Sequence, residues 1–202
     1  VELVPPEEGL RTARQFLQNG RFADAIAACR DILSQEATHH EALYTLAVAQ
    51  RFGGDTGAAL ATLEKLIELA PSYGRAWQER GHCLRDTAAA EAALAAYQEA
   101  VARNNALLAS WQMLERYHAD AGRDTAAGFA SAQVDYLSSL PPQLLSVASL
   151  IQEGKMYKAE QLCRHFLQTQ GHHVEGMRFL AQIGMTFNVH DEAEFLLESA
   201  VV

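Results

Sequence analysis

The chain has 202 residues, of which 49% are hydrophobic, and its formal net charge is −9. This length and hydrophobic content are sufficient to bury a continuous core. No apolar stretch approaches the roughly 20 residues of a membrane span and no signal peptide opens the sequence, so we expect no membrane role. The acidic charge disfavours nucleic acid as a partner, because attraction to phosphates drives most of that affinity.

Small residues recur along the chain at a nearly constant step. One row of alanines has spacings of 34, 34, 34, 32 and 34 residues: Ala25, Ala59, Ala93, Ala127, Ala159 and Ala193. A second row lies seven residues later: Ile32, Leu66, Ala100, Val134, Phe166 and Ala200. Two rows that keep the same step indicate an internal repeat. Apolar residues recur at three and four positions throughout, which predicts helices and no strands.

The repeat predicts six helix-turn-helix units and therefore about twelve helices. In chain order, the repeats cover residues 6–39, 40–73, 74–107, 108–139, 140–173 and 174–202. Pro71 ends the second repeat, where a proline stops a helix. The fourth repeat is two residues short, and the sixth stops inside its second helix. We interpret this last feature as a fragment of a longer array, or as an end covered by a partner or a second copy.

Each repeat combines small and bulky residues at fixed slots, counted from its first residue. Small residues at slots eight and twenty allow the two helices to approach, and bulky residues fill the gaps between layers. Arg80 is unusual because it holds slot seven, which is normally leucine, and Glu115 holds a slot that is normally small. A buried arginine needs a partner, so we expect an ion pair with Glu79 or Glu115, or a backbone carbonyl; a ligand-facing Arg80 beside His82 is the alternative. The predicted structural residues are Ala25, Ala59, Trp77, Arg80, Gly81, Ala93, Trp111, Glu115, Ala159 and Ala193.

A 34-residue helix-turn-helix unit with this pattern resembles the tetratricopeptide repeat. The resemblance implies an all-α, right-handed superhelical solenoid, in which stacked neighbours bury a core that one hairpin cannot bury alone. It also implies a protein-interaction scaffold whose first helices line an inner groove. Two prolines, Pro141 and Pro142, interrupt the array, and residues 138–142 form either an ordinary turn between repeats or a bend between sub-arrays.

The groove is expected to be lined by slots two, five, nine and twelve of the first helices. Arginine suits bidentate binding of carboxylates, and tyrosine adds a flat anchor. We therefore predict a groove for an extended, acidic or carboxylate-bearing peptide; the alternative is a solvated polar face with incidental arginines. The lysine and asparagine pattern of chaperone-binding repeats is absent. The predicted groove residues are Arg14, Tyr44, Arg51, Arg75, Gln78, His82, Arg85, Gln112, Arg116 and Arg178, together with Glu41, Val48, Glu175, Gln182 and Met185.

No residue pattern indicates a cofactor, a metal ion or catalysis. The histidine pairs His39-His40 and His172-His173 lie at turns between repeats, where neighbouring imidazoles are poorly placed to chelate one ion. The three cysteines, Cys29, Cys83 and Cys163, are interpreted as small buried hydrophobes in a reducing compartment.

Several strings resemble the amino-terminal half of bacterial tetratricopeptide-repeat sulfotransferase-family proteins. They lie at residues 41–51, 75–85, 153–167, 174–184 and 191–201. The resemblance implies a bacterial, cytoplasmic protein whose catalytic domain follows residue 202, so that this chain recruits the acceptor. The Gly154-Lys155 pair is no phosphate loop, since Ser149 and Met156 replace required residues. A third hypothesis is self-assembly into a homo-oligomer through the uncapped last helix.

Overall fold

The computed structural model describes residues 5–188, which fold into eleven helices and contain no strand. This confirms the predicted all-helical fold. The predicted twelfth helix, with Ala193, lies outside the described residues. The helices are α1 (Pro6–Gln18), α2 (Phe22–Gln35), α3 (His40–Phe52), α4 (Thr56–Leu69), α5 (Gly74–Asp86), α6 (Ala90–Arg103), α7 (Leu108–Asp120), α8 (Asp124–Ser139), α9 (Pro142–Gln152), α10 (Met156–Gln170) and α11 (Val174–Thr186).

The chain divides into two compact units, Val1–Arg103 and Asn104–Val202. In the first unit α1 packs on α2, α3 on α4 and α5 on α6, and α3 also contacts both α1 and α5. In the second unit α7 packs on α8, and α10 packs on α9 and α11, which also contact each other. The first helices of successive repeats therefore lie side by side within the first unit.

Histidine and aspartate side chains cap the amino termini of three helices, α3, α4 and α11. His39 Nδ1 accepts a hydrogen bond from the backbone N–H of Ala42 at 3.2 Å, and Asp55 Oδ1 accepts one from Ala58 at 2.9 Å. His173 caps α11 in the same way as His39 caps α3. Such caps satisfy backbone donors that the first turn of a helix leaves unpaired. One histidine of each adjacent pair thus has a local structural role.

The turn inside each repeat contains one residue with a positive φ angle. These residues have φ values between 59° and 88° and follow the spacing of the repeat: Gly20, Gly54, Ala88, Gly122, Gly154 and Asn188. Glycine reaches this left-handed conformation without a steric penalty, whereas an L-residue does not. Ala88 is therefore the one member of the row with a β-carbon and no polar side chain to compensate.

In four repeats the core is built around the small slot-twenty residue, whereas Ala127 of the fourth repeat is only half-buried. Ala25, Ala59, Ala93 and Ala159 are fully buried. The residues four positions later, which lie one helical turn on, are also fully buried: Cys29, Leu63, Tyr97 and Cys163. The alanines leave room for the partner helix, and the larger residues fill the space beside it.

Each of the two tryptophans makes a hydrogen bond to the backbone of the turn that precedes its helix. Trp77 Nε1 donates to the carbonyl oxygen of Pro71 at 3.1 Å, and Trp111 Nε1 donates to that of Asn105 at 2.9 Å. Donor and acceptor are both shifted by 34 residues between the two bonds. The same contact therefore recurs in the third and fourth repeats.

The proline pair lies at the start of α9. α8 ends at Ser139, Leu140 has an extended conformation, and Pro142 occupies the first turn of α9, where its missing N–H is not needed. The first helix of the fifth repeat thus begins two residues after the predicted start of that repeat. The bend at residues 138–142 stays a prediction.

Candidate functional site: a polar face on the first helices

The predicted groove residues of α1, α3 and α5 form one continuous polar surface in the first unit. Side chains from all three helices are joined by ion pairs and hydrogen bonds. We call this surface the first-helix face; it comprises Arg14, Glu41, Tyr44, Arg51, Arg75, Gln78, His82 and Arg85. Val48, which was predicted to belong to it, is buried in the core. Its geometry follows from slots that repeat every 34 residues on helices that lie side by side.

Glu41 is the junction between the three helices. Its Oε2 accepts from Arg14 Nη2 at 2.5 Å, and its Oε1 accepts from Arg75 Nη2 at 2.7 Å and from the Tyr73 hydroxyl at 2.9 Å. The Glu41 side chain is 22% exposed. Charge-assisted hydrogen bonds of this kind are stronger than neutral ones. A single carboxylate thus holds α1, α3 and the start of α5 together.

Arg75 also lies over two aromatic rings. Its guanidinium carbon is 4.9 Å from the ring centroid of Tyr44 and 4.9 Å from that of Tyr73. Burial, with the nearby charge of Glu79, raises the pKa of Tyr44 to about 12. The Tyr44 phenol is therefore protonated at neutral pH and provides a flat, uncharged surface beside the arginine.

Arg51 is the most deeply placed arginine of the face. Its Nε donates to Glu79 Oε1 at 2.5 Å, and its Nη1 lies 3.5 Å from Asp86 Oδ2. The Arg51 side chain is 12% exposed and that of Glu79 only 5%. Burial alone would lower the pKa of Arg51, but the hydrogen bond and charge of Glu79 raise it above its ordinary value. Arg51 therefore keeps its charge, and the two buried side chains depend on each other for a partner.

Asp86 is shared between Arg51 and Arg85. Its Oδ1 accepts from Arg85 Nη2 at 2.8 Å, while Oδ2 faces Arg51. Burial alone would raise the pKa of Asp86, but Arg85 and Arg51 together lower it. Arg85 is the outer member of this group, with a side chain that is 41% exposed.

His82 is a neutral member of the face at physiological pH. Its Nδ1 lies 2.8 Å from the hydroxyl oxygen of the fully buried Tyr97. Burial, followed by the charges of Arg51 and Arg85, lowers the pKa of His82 to about 4. The ring therefore acts as a hydrogen-bonding group and carries no positive charge for an anionic ligand.

The arginines of the face are paired with carboxylates of the same chain. The repeat pattern predicts these arginines as available forks for a ligand, but it does not indicate Glu79 and Asp86 as their partners. A ligand carboxylate must compete with these internal partners wherever the arginine is buried. Competition is weakest at Arg14 and Arg85, whose side chains are 48% and 41% exposed.

The predicted groove residues of the second unit differ in their surroundings. Gln112 is exposed on α7, and Arg116 lies 3.8 Å from Asp120 in a pair that is 76% and 72% exposed. Arg178 donates to Glu175 Oε2 from Nε at 3.0 Å and from Nη2 at 2.6 Å. Arg178 is thus held in a defined orientation, whereas Arg116 is held only by a loose surface pair.

Arg80 is half-buried, which corrects the expectation of a buried charge. Its guanidinium carbon lies 5.5 Å from the ring centroid of Trp77, so an aromatic face takes part of the place of an ionic partner. Glu79, one of its expected partners, is bound to Arg51 instead. The pairing of Arg80 with Glu115, which belongs to the second unit, stays a prediction.

Metal-binding and nucleophilic groups are not gathered into a site in the described residues. No cluster of three or more histidine, cysteine or acidic side chains suited to a metal ion occurs there. The cysteines are free and buried, and burial raises the pKa of Cys29 and Cys83 to about 12 and that of Cys163 to about 11. Such thiols are poor nucleophiles. None of the helices described here is long and apolar enough to cross a bilayer.

Known structures share this arrangement of helices at low sequence identity. PilF of Pseudomonas aeruginosa is 17% identical, with a TM-score of 0.60 over 95% of this chain and 88% of that one. TTC0263, a thermophilic tetratricopeptide-repeat protein of Thermus thermophilus, is 19% identical, with a TM-score of 0.58 over 90% of this chain and 100% of that one. A chain of the Naa15/Naa10 complex bound to HypK-THB is 15% identical, with a TM-score of 0.59 over 96% of this chain and 30% of that one.

The sequence comparisons are more local. No curated protein matches the chain. The tetratricopeptide repeat family matches residues 41–73, which contain α3 and α4. Structural likeness at these identities indicates the fold alone. Residues 41–73 are thus similar to a tetratricopeptide repeat, and the paired helices of the described part of the chain have the fold of tetratricopeptide-repeat proteins.

Proposed function

We propose that this chain is a non-catalytic protein-interaction scaffold that holds an extended segment of a partner on the first-helix face. The observation that supports the proposal is the cross-linking of α1, α3 and α5 through Glu41, Arg51 and their partners. Three helices that are joined in this way present side chains in fixed positions. A surface fixed before binding loses little conformational entropy when a partner docks.

The outer arginines are the groups of this face that a partner reaches first. Arg14 and Arg85 are more exposed than Arg51 and Arg75, and each shares its carboxylate with one of those inner arginines. A partner carboxylate can therefore join Arg14 or Arg85 without stripping a buried arginine of its ion pair. We infer that the partner segment contacts the face with acidic side chains at these outer positions.

A capture experiment with matched variants tests the proposal. The full chain is immobilised, lysate is passed over it, and bound proteins are identified by mass spectrometry for the wild type, Arg85→Ala and Arg30→Ala. Arg30 is an exposed arginine of α2, away from the face, and provides the control. We expect Arg85→Ala to lose partners that Arg30→Ala retains. Equal capture by all three proteins would contradict a role for the face.

The sulfotransferase hypothesis assigns a specific activity to a longer protein that contains these repeats, and it remains a proposal. The family match and the structures described above bear on the repeats and not on a catalytic domain. In that hypothesis the same face recruits the acceptor of the transferred group. A bacterial origin, a cytoplasmic location and self-assembly through the last helix are likewise predictions, and light scattering over a concentration series tests the last of these.

A further inference from the structure

The caps that His39 and His173 make on α3 and α11 depend on the protonation state of the two imidazole rings. His39 Nδ1 accepts from the Ala42 N–H at 3.2 Å, and His173 Nδ1 accepts from the Gly176 N–H at 3.4 Å. A neutral imidazole accepts a hydrogen bond at one nitrogen, whereas a protonated imidazole donates from both. Each cap therefore requires a neutral histidine that carries its proton on Nε2.

The other four first helices have no cap of this kind. The residues that precede α1, α5, α7 and α9 make no side-chain cap hydrogen bond; they are Pro5, Tyr73, Leu107 and Pro141. The two capped helices share a second feature, a glutamate two residues after the histidine: Glu41 in α3 and Glu175 in α11. The capping histidine and this glutamate thus occur together, at equivalent slots of the second and sixth repeats.

Each of these glutamates binds a side chain of another helix. Glu41 accepts from Arg14 of α1 and from Arg75 of α5. Glu175 Oε2 accepts from the Tyr136 hydroxyl of α8 at 3.0 Å. Both glutamates lie in the first turn of their helix, so their positions depend on the turn that the histidine caps.

Charged and titratable groups of both signs surround the two caps. In the bonded network around His39 they are Glu36, His40, Glu41, Arg14 and Arg75. Around His173 they are His172, Glu175, Arg178 and Tyr136. From α10, the uncharged ring of Phe166 faces His173, with 5.2 Å between the ring centroids. Carboxylates and guanidinium groups are equal in number in each set, so the main consequences of protonation arise at the cap itself.

We propose that His39 and His173 are acid-sensitive caps, which release the first turns of α3 and α11 when the imidazole is protonated. Protonation converts Nδ1 into a donor that faces the backbone N–H of Ala42 or Gly176, and it places a positive charge at the positive end of the helix dipole. The first turn then opens, and the glutamate in that turn loses the position from which it holds its partners. Histidine side chains change charge between about pH 5 and pH 8, so the caps respond to mild acid. The proposal is independent of the proposed function, because it concerns the chain without a partner.

Amide hydrogen exchange followed by NMR at pH 7.5 and pH 5 tests the caps in the full chain. Protection factors, which are corrected for the intrinsic exchange rate at each pH, are compared for Ala42, Gly176 and Ala58. Ala58 is the internal reference, because Asp55 caps α4 through a carboxyl oxygen that accepts in either protonation state. We expect the protection of Ala42 and Gly176, relative to that of Ala58, to fall about fivefold at pH 5, which is the effect typical of a lost N-cap.

Matched variants separate each capping histidine from its neighbour. Asparagine is a preferred N-cap residue that does not titrate, so His39→Asn and His173→Asn should keep the capped amide equally protected at both pH values. His40→Asn and His172→Asn replace the exposed neighbours and should retain the fall that the wild type shows.

The outcomes are decided separately for the two helices. If the relative protection of Ala42 is the same at both pH values, or if its fall persists in His39→Asn, the acid-sensitive cap of α3 is refuted. The same results for Gly176 and His173→Asn refute that of α11. An equal fall at Ala42 and Ala58 assigns the loss to the whole first unit, as expected from His82, and also contradicts the cap of α3.

Discussion

Gly81 on α5 lies directly against the ring of Tyr97 on α6. A β-carbon built on Gly81 would stand 2.6 Å from Tyr97 Cε1, far inside van der Waals contact. Tyr97 is fully buried, and its hydroxyl is bound to His82, so the ring has nowhere to move without breaking that contact. The glycine is required here because of space, and its backbone angles are those of an ordinary helix.

The first prediction is that Gly81→Ala destabilises the protein. The clash should lower the free energy of unfolding by up to about 3 kcal/mol. The better helix propensity of alanine should offset about 1 kcal/mol of this loss. We expect a net loss of roughly 1–2 kcal/mol in the free energy of unfolding, measured by urea denaturation. Gly128→Ala on α8 is the control, because its β-carbon would meet no atom within 4 Å. This control should gain about 0.5–1 kcal/mol, and a gain at Gly81 as well would contradict the packing account.

The second prediction is that Ala88→Gly stabilises the protein. Ala88 has a φ angle of 59° in the turn between α5 and α6, where four of the other repeats have glycine. Relief of the left-handed strain should raise the free energy of unfolding by about 1–2 kcal/mol. The greater freedom that glycine gives the unfolded chain should lower it by about 0.4–1 kcal/mol. A rise in the midpoint of thermal unfolding is expected. Ala96→Gly, within the helix that follows, should lower it, and a fall for both variants would refute strain at Ala88.

The third prediction concerns the buried pair of Arg51 and Glu79. Glu79→Gln removes the nearer carboxylate charge and leaves Asp86, at a longer distance, as the remaining anionic partner of Arg51; loss of one charge of a buried pair costs about 3–5 kcal/mol. We expect a loss near the lower end, about 3 kcal/mol, in urea denaturation, because Asp86 remains. Arg116→Gln removes a pair that is mostly exposed and should change stability by less than about 0.5 kcal/mol. Similar effects of the two substitutions would show that the Arg51 pair is not effectively buried.

The fourth prediction is a pH dependence that comes from His82. Its pKa is about 4 in the folded protein and about 6.5 when unfolded, so the unfolded chain binds the proton first as the pH falls. Stability should therefore decrease between pH 6.5 and pH 4, with a contribution of about 2 kcal/mol already at pH 5. Chemical denaturation at pH 7.5 and pH 5 should show this loss in the wild type and a smaller one in His82→Gln. His165→Gln, at an exposed position of α10, should behave as the wild type, and an equal loss in His82→Gln would exclude His82 as the cause.

The repeat period was sufficient to predict the helices but not the pairing of the polar side chains. Helix positions follow from apolar and small residues whose spacing is fixed along the chain, and α3, α5, α7 and α11 begin where their repeats were counted to begin. The contacts of Glu41 join residues 27 and 34 positions away, on neighbouring helices. Local periodicity does not determine which of several charges on adjacent helices meet. The 34-residue interval between Glu41 and Arg75 could have indicated their pairing, since the two residues hold equivalent slots of consecutive repeats.

Each compact unit contains one tryptophan, and each indole donates the same hydrogen bond to the turn before its helix. Trp77 reports on the first unit and Trp111 on the second, and the chain contains no other tryptophan. Replacing either one by phenylalanine leaves a single tryptophan, whose selectively excited emission follows the unfolding of its own half. The two tryptophans can therefore show, without any attached dye, whether the two units unfold together or separately.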